Sequence, residues 1–224
     1  MDAILKRLQL RWPKLLALFV GVLLPFCLFS MLAGEAIERE VFFFDQPILM
    51  FLHAHANGHL DTLMLFFTHI GSAPWVVTFE LLLFGVLLYT RRRMDAVFTF
   101  LSLVGTALLN MLAKNFFARI RPDFWVSLQP ETSYSFPSGH SMNAMALVAV
   151  LIILSWRSKI RWPVAITAVC FAFMVSASRL YLGVHFPSDV LAGWTAALTW
   201  VIGLAFILKC RTARGEVKTP EVID

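Results

Sequence analysis

An all-α integral membrane bundle of six transmembrane helices is the fold class this sequence predicts, and three observations predict it. The 224-residue chain is 59% hydrophobic, with a mean hydropathy of +0.75, well above a water-soluble domain. Its apolar residues fall in runs close to the ~20 residues a helix needs to cross a bilayer. Its basic residues gather at alternate ends of those runs, as they do when successive loops lie on opposite sides of a membrane. The runs use up nearly the whole of 1–224, which reads as a single membrane domain without a soluble appendage.

The elements follow in order. Lys6, Arg7, Arg11 and Lys14 precede the first span, 15–33. This apolar stretch exceeds the core of a cleaved signal peptide, and the loop count works only if it is retained, so it is read as a span. Residues 35–70 hold two aromatic-rich segments, 41–52 and 60–70, too short to cross; they are expected as helices lying in the interface or against the bundle. Gly71, Ser72 and Pro74 break the chain before the second span, 74–90, which Glu80 interrupts. Arg91, Arg92 and Arg93 make a tight turn into the third, 96–116. Residues 117–136 form the longest later loop and contain Pro122 and Pro130. The fourth span, 141–156, and the fifth, 162–178, are separated by Arg157, Lys159 and Arg161. The sixth, 190–208, is followed by Lys209, Arg211, Arg214 and Lys218.

With six crossings, every basic cluster falls on one side, which the positive-inside rule makes the cytoplasm, termini included. Only Arg39, Lys114, Arg119, Arg121 and Arg179 remain outside. The net charge of +5 therefore reports topology and not a nucleic-acid partner. Cys27 and Cys170 lie in spans and Cys210 at a cytoplasmic end, with no disulfide or metal-thiolate spacing.

Charge beside lipid is costly and marks function. Three polar segments stand at the outer ends of spans. Lys114 and Arg121, seven residues apart, are expected on one helical face, with Pro122 ending the element. Arg contributes a planar fork for two phosphate oxygens and Lys a point charge. In the second segment, Pro137-Ser138-Gly139-His140, Ser138 is a natural N-cap and Gly139 permits close approach of a ligand to the backbone. The helix start there favours an anion beside His140. In the third, Arg179 ends one span while Pro187-Ser188-Asp189 opens the next. Asp189 is within reach of His185, and a carboxylate on one ring nitrogen leaves the other free to attack. Parity brings all three segments to the outer face.

Lys114-x6-Arg121-Pro122, Pro137-Ser138-Gly139-His140 and Ser178-Arg179-x5-His185-x3-Asp189 together resemble the three-part signature of the type 2 phosphatidic acid phosphatase superfamily. The resemblance covers residues 114–189 without departure and places a catalytic core at 96–208. It implies a multi-pass cell-membrane phosphatase, active at the outer face, that uses no metal or other cofactor. It implies His185 as nucleophile, forming a phosphohistidine, Asp189 as its orienting partner and His140 as general acid and base. It also implies Lys114, Arg121, Ser138, Gly139 and Arg179 as phosphate ligands. The expected partners are a lipid phosphate or diphosphate substrate and the surrounding lipids, with no nucleic acid and no obligate protein partner. Undecaprenyl diphosphate is the first expectation, with phosphatidylglycerol phosphate and phosphatidate next. A lipid phosphotransferase using the same phosphohistidine is the alternative of another class.

Other polar residues read more plainly. His53, His55 and His59 lack supporting ligands and are expected as an interfacial loop, not a metal site. Glu80 must face the bundle or water and is expected as a structural buried acid, near Asn110 or paired with Lys114. Trp75, Tyr89, Trp125, Trp156 and Trp162 fit an aromatic belt.

Overall fold

The computed structural model describes residues 12, 15–38 and 41–208, and all regular structure among them is helical. The N-terminal and C-terminal basic clusters and Arg39 lie outside the described residues. Eight helices run in chain order: α1 (Leu15–Glu38), α2 (Asp45–Ala54), α3 (Gly58–Ile70), α4 (Ala73–Tyr89), α5 (Arg93–Phe117), α6 (Gly139–Ser155), α7 (Arg161–Tyr181) and α8 (Pro187–Ile207). Helix α1 carries one turn of π-helix at Phe19–Leu23.

Helices α1, α5, α7 and α8 are long and apolar enough to cross a membrane, and α3 with α4, bent by 47° at their junction, pass together as a fifth span. The six expected spans therefore do not all meet that length. Helices α4 and α6 have 17 residues each, about 26 Å at the helical rise, short of a ~30 Å hydrocarbon core. The two segments expected between the first two spans are helices, α2 and α3, and Asn57 caps α3 by accepting from the Leu60 amide at 3.1 Å.

Helix α6 is the centre of the bundle, packed on α7 and α8, while α1 lies on α8 and α3 on α7. Small residues set these approaches. Ala144, Val148, Ala168, Ala172 and Val175 form one α6–α7 cluster, and Phe98, Met142, Ala146, Val150, Ala197 and Val201 fill the space between α5, α6 and α8. Close backbone approach between small residues is the usual adhesive where lipid removes the hydrophobic driving force. Gly193 shows how tight this is: a Cβ there would stand 2.8 Å from the Ser138 carbonyl. Large apolar side chains such as Leu82, Ile166 and Phe173 point outward. The opposite pattern holds at one end, where Asp45, Thr68, Arg119, Ser138, Arg179, His185, Ser188 and Asp189 are all buried.

Candidate active site

That polar end is assembled from the last turns of α5 and α7, the first turns of α6 and α8, and the irregular segment 118–138. Helix α5 stops at Phe117, where Ala118 takes a left-handed conformation (φ 46°) and donates its amide to the Lys114 carbonyl. Arg121 is consequently not on the helix, and it does not share a helical face with Lys114 as its spacing suggests. The two cations converge because the loop folds back over them. Lys114 Nζ donates to Ser133 Oγ (3.0 Å) and the Tyr134 carbonyl (2.8 Å), and Arg121 donates to the same Ser133 Oγ (3.0 Å) and to the Ser133 carbonyl (2.6 Å).

His185 lies in the short connection between α7 and α8. The turn depends on Gly183, whose φ of 69° is a left-handed value that a side chain resists. The His185 ring is 1% exposed. Its Nδ1 faces Asp189 Oδ2 at 3.4 Å, and its Nε2 lies 3.0 Å from Arg121 Nη1. The Arg side chain can only donate, so Nε2 carries the lone pair and Nδ1 the proton. Burial pushes the imidazole well below the usual histidine value, and Arg121, Arg179, Lys114 and His140 push the same way. The ring is neutral, with its basic nitrogen toward the cations.

A cavity of about 210 Å³ opens at this point, lined by Asn110, Lys114, Arg121, Glu131, Gly139, His140 and His185 among others. Five of the eight sequence-predicted site residues thus line one space. His140 Nε2 at the cavity and Arg179 Nε behind it are buried without a hydrogen-bond partner among the described residues. The other three stand behind it. Arg179 is fully buried, donating to Thr68 Oγ1 and, at 2.5 Å, to Glu131 Oε1. Asp189 backs His185. Ser138 occupies the N-cap position of α6, yet its side chain makes no cap bond and donates instead to Ser141 Oγ at 3.1 Å. Its contribution runs through the backbone, because its amide donates to the Asp189 carbonyl at 3.0 Å and ties the starts of α6 and α8 together.

Three residues that sequence reasoning left out complete the site. Arg119 donates from Nη1 to Asp189 Oδ1 (2.7 Å) and Ser188 Oγ (2.8 Å), and its Nη2 lies 3.3 Å from Asp45 Oδ2. Asp45, the first residue of α2, accepts from the Ser188 amide (2.8 Å) and hydroxyl (2.7 Å). Burial raises the Asp45 carboxyl from its ordinary value, against the pull of Ser188 and Arg119. A lone acid inside the run VFFFDQPILMFL was the available signal for Asp45. Glu131 is the third, and nothing in its loop sequence marks it.

The remaining expectations resolve simply. Among the described residues no group of three His, Cys, Asp or Glu side chains is placed to hold a metal. His53 stacks on Trp125 with ring centroids 4.2 Å apart, and His55 Nδ1 lies 2.8 Å from the Phe51 carbonyl. Glu80 is buried, with Oε2 lacking a partner among the described residues. Lys114 bonds into the loop and Asn110 Nδ2 donates to the Pro137 carbonyl, so neither takes Glu80 as a hydrogen-bond partner.

Two histidines facing a cation-walled cavity at the end of a membrane bundle define a class: membrane-embedded enzymes that act on phosphate groups. The family model of the PAP2 superfamily matches residues 95–214, and the chain belongs to that superfamily. It is 34% identical over 171 residues to phosphatidylglycerophosphatase B of Bacillus subtilis, covering 74% of this chain and 78% of that one. It is 30% identical over 164 residues to an undecaprenyl-diphosphatase of Sulfolobus acidocaldarius, covering 70% and 75%. The crystal structure of a transmembrane PAP2-type phosphatidylglycerolphosphate phosphatase from Bacillus subtilis superposes with a TM-score of 0.74 at 30% identity, covering 85% of this chain and 98% of that one. The protein is a multi-pass membrane lipid phosphatase of this superfamily.

Proposed function

We propose that the protein removes the terminal phosphate from a membrane lipid phosphate or diphosphate through a phosphohistidine on His185 Nε2. The observation that carries this reading is the His185 ring, neutral, its Nδ1 toward Asp189 and its Nε2 at a cavity flanked by Lys114, Arg121 and His140. Nε2 attacks phosphorus in line, the N–P bond forms, and the P–O bond to the lipid breaks. His140, whose Nε2 is buried without a partner among the described residues, takes up a proton as the phosphate anion binds and, as imidazolium, gives it to the departing oxygen. Water then attacks the phosphohistidine, the N–P bond breaks, and His140 takes the water's proton as inorganic phosphate leaves. Lys114, Arg121 and Arg179 balance the charge that spreads over the phosphoryl oxygens, with Gly139 contributing backbone at the start of α6 and Ser138 fixing that start through its bond to Asp189. Asp189 holds the tautomer. The reaction needs no metal in this scheme. Residues 96–208 form the catalytic core.

The bundle crosses the membrane six times, α4 and α6 included, with both termini cytoplasmic and the site at the outer face. The basic turn Arg91–Arg93, at the far end of α5 from Lys114, supports this orientation. Phosphatidylglycerol phosphate is the first substrate to assay, since the 34%-identical relative carries that specificity in its name. Undecaprenyl diphosphate is the second reading, favoured by the archaeal relative.

The test is phosphate release from phosphatidylglycerol phosphate, undecaprenyl diphosphate and phosphatidate by detergent-purified protein in EDTA. Release that His185→Ala lowers by about 10⁴-fold, with an acid-labile phosphoenzyme trapped on wild type, is expected. Unchanged release by His185→Ala overturns the mechanism, and transfer of phosphate only to an added lipid acceptor makes the protein a phosphotransferase.

A further inference from the structure

The cations around the cavity are not open to solvent on every side. Glu131 Oε1 accepts from Arg179 Nη2 at 2.5 Å, and Oε2 lies 3.7 Å from Arg121 Nη2. The same carboxylate lines the cavity beside His140, His185 and Lys114. Two arginine forks spread about one pair of acceptor oxygens is the arrangement that grips a phosphoryl group.

We infer that Glu131 is a resident anion: its carboxylate fills the phosphate site of the empty enzyme and is exchanged for the substrate's phosphoryl group. This rests on the reading of Lys114, Arg121 and Arg179 as phosphate ligands. Three observations carry it. Arg179 Nη2 donates to Glu131 and Arg121 Nη2 stands 3.7 Å from its other oxygen, so a phosphoryl group cannot take the Arg179 donor, or sit between the two forks, while the carboxylate is there. Glu131 sits in the irregular segment 118–138, its side chain 26% exposed where that of Arg179 is 0% exposed, so it has a way out that the arginine lacks. Its charge state also suits the role. Burial pushes the Glu131 carboxyl up, but Arg179, Arg121, His140 and His185 together hold it below the ordinary glutamate value.

The exchange has a consequence for specificity. Bulk membrane lipids present phosphodiesters with one negative charge, at high concentration around the bundle. A terminal phosphate carries between one and a half and two charges near pH 7. A carboxylate monoanion already in place holds its own against the diester and loses to the terminal phosphate. Glu131 thus keeps the bulk lipid headgroups off His185.

A site occupied by its own anion about nine-tenths of the time binds a ligand about tenfold more weakly than an open one. The experiment is calorimetric binding of inorganic phosphate to the detergent-purified full chain, wild type against Glu131→Gln, which keeps the shape and removes the charge. Binding about tenfold tighter in Glu131→Gln is expected, and phosphatidylglycerol micelles become competitive with phosphate in the variant alone. Binding to wild type that is equal or stronger than to Glu131→Gln overturns the inference. Absence of phosphate binding in both proteins overturns the anion-site reading beneath it as well. If Glu131→Gln does not fold, Glu131→Ala answers the question, since added acetate should compete with phosphate in that variant and leave wild type untouched. Acetate without effect on Glu131→Ala overturns the exchange.

Discussion

Arg119 and Arg121 stand two residues apart on one loop, yet they serve opposite walls of the site. Arg119 faces backward, 5% exposed, between two fully buried acids, Asp45 and Asp189. Arg121 faces the cavity, with His185 Nε2 and the carbonyls of Ser133 and Val184 around it. In the back wall one guanidinium is shared by two buried carboxylates, which hold it in place. In the front wall the cations outnumber the acids, with Lys114, Arg121 and Arg179 facing Glu131 alone. The same residue type is locked between acids in one wall and faces a cavity with excess positive charge in the other.

Removing each arginine breaks this contrast in a different way. Arg119→Ala leaves Asp45 and Asp189 buried without their cation, a loss of the order of 3–5 kcal/mol. The expected result is a large fall in the thermal unfolding midpoint of the detergent-solubilised protein. Lys at 119 should not restore it, because one ammonium does not bridge two carboxylates as the fork does. Arg121→Ala is expected to lower kcat/KM by about 10²–10³ with a much smaller change in the unfolding midpoint. Its pH profile sharpens the point. A cation beside Nε2 holds the imidazole pKa down, so removing it raises that pKa and moves the acid limb of kcat/KM toward neutral pH. An acid limb that stays in place would mean Arg121 does not face the attacking nitrogen. Asp45→Asn is the smallest of the three: the amide keeps one acceptor for the Ser188 amide but loses the charge that Arg119 faces. A cost of about 1.5–3 kcal/mol is expected in unfolding measurements, with KM for any accepted lipid unchanged.

The front wall was largely legible in the sequence and the back wall was not. Lys114, Arg121, His140, Arg179, His185 and Asp189 are charged or titratable residues at the ends of apolar runs, and such residues are retained there for chemistry. The route by which Lys114 and Arg121 meet was misread, because seven-residue spacing implies a helical face only while the helix continues, and this one ends at Phe117. Ser138 was read for its side chain when its amide is what engages Asp189. Asp45 is visible as an acid among phenylalanines, but its partner Ser188 lies 143 residues away, and no local pattern connects them. The segment 35–70, read as interfacial helices of unstated role, supplies both Asp45 to the back wall and Thr68 to Arg179. Of the six spans read from the sequence, four are helices long enough alone and α3 with α4 makes a fifth, while α4 and α6 at 17 residues each stop just under a turn short of a bilayer core.

The bond from the Ser138 amide to the Asp189 carbonyl, with Gly193 pressed against the Ser138 carbonyl, makes one rigid rib of the starts of α6 and α8. His140 rides on one half of that rib, and His185 leads directly into the other. The spacing between the two imidazoles is therefore set by helix-to-helix contact and not by the loop that carries Arg121 and Glu131. A chain with this joint can vary the exposed stretch around Val126 and Leu128 without changing the distance between His140 and His185.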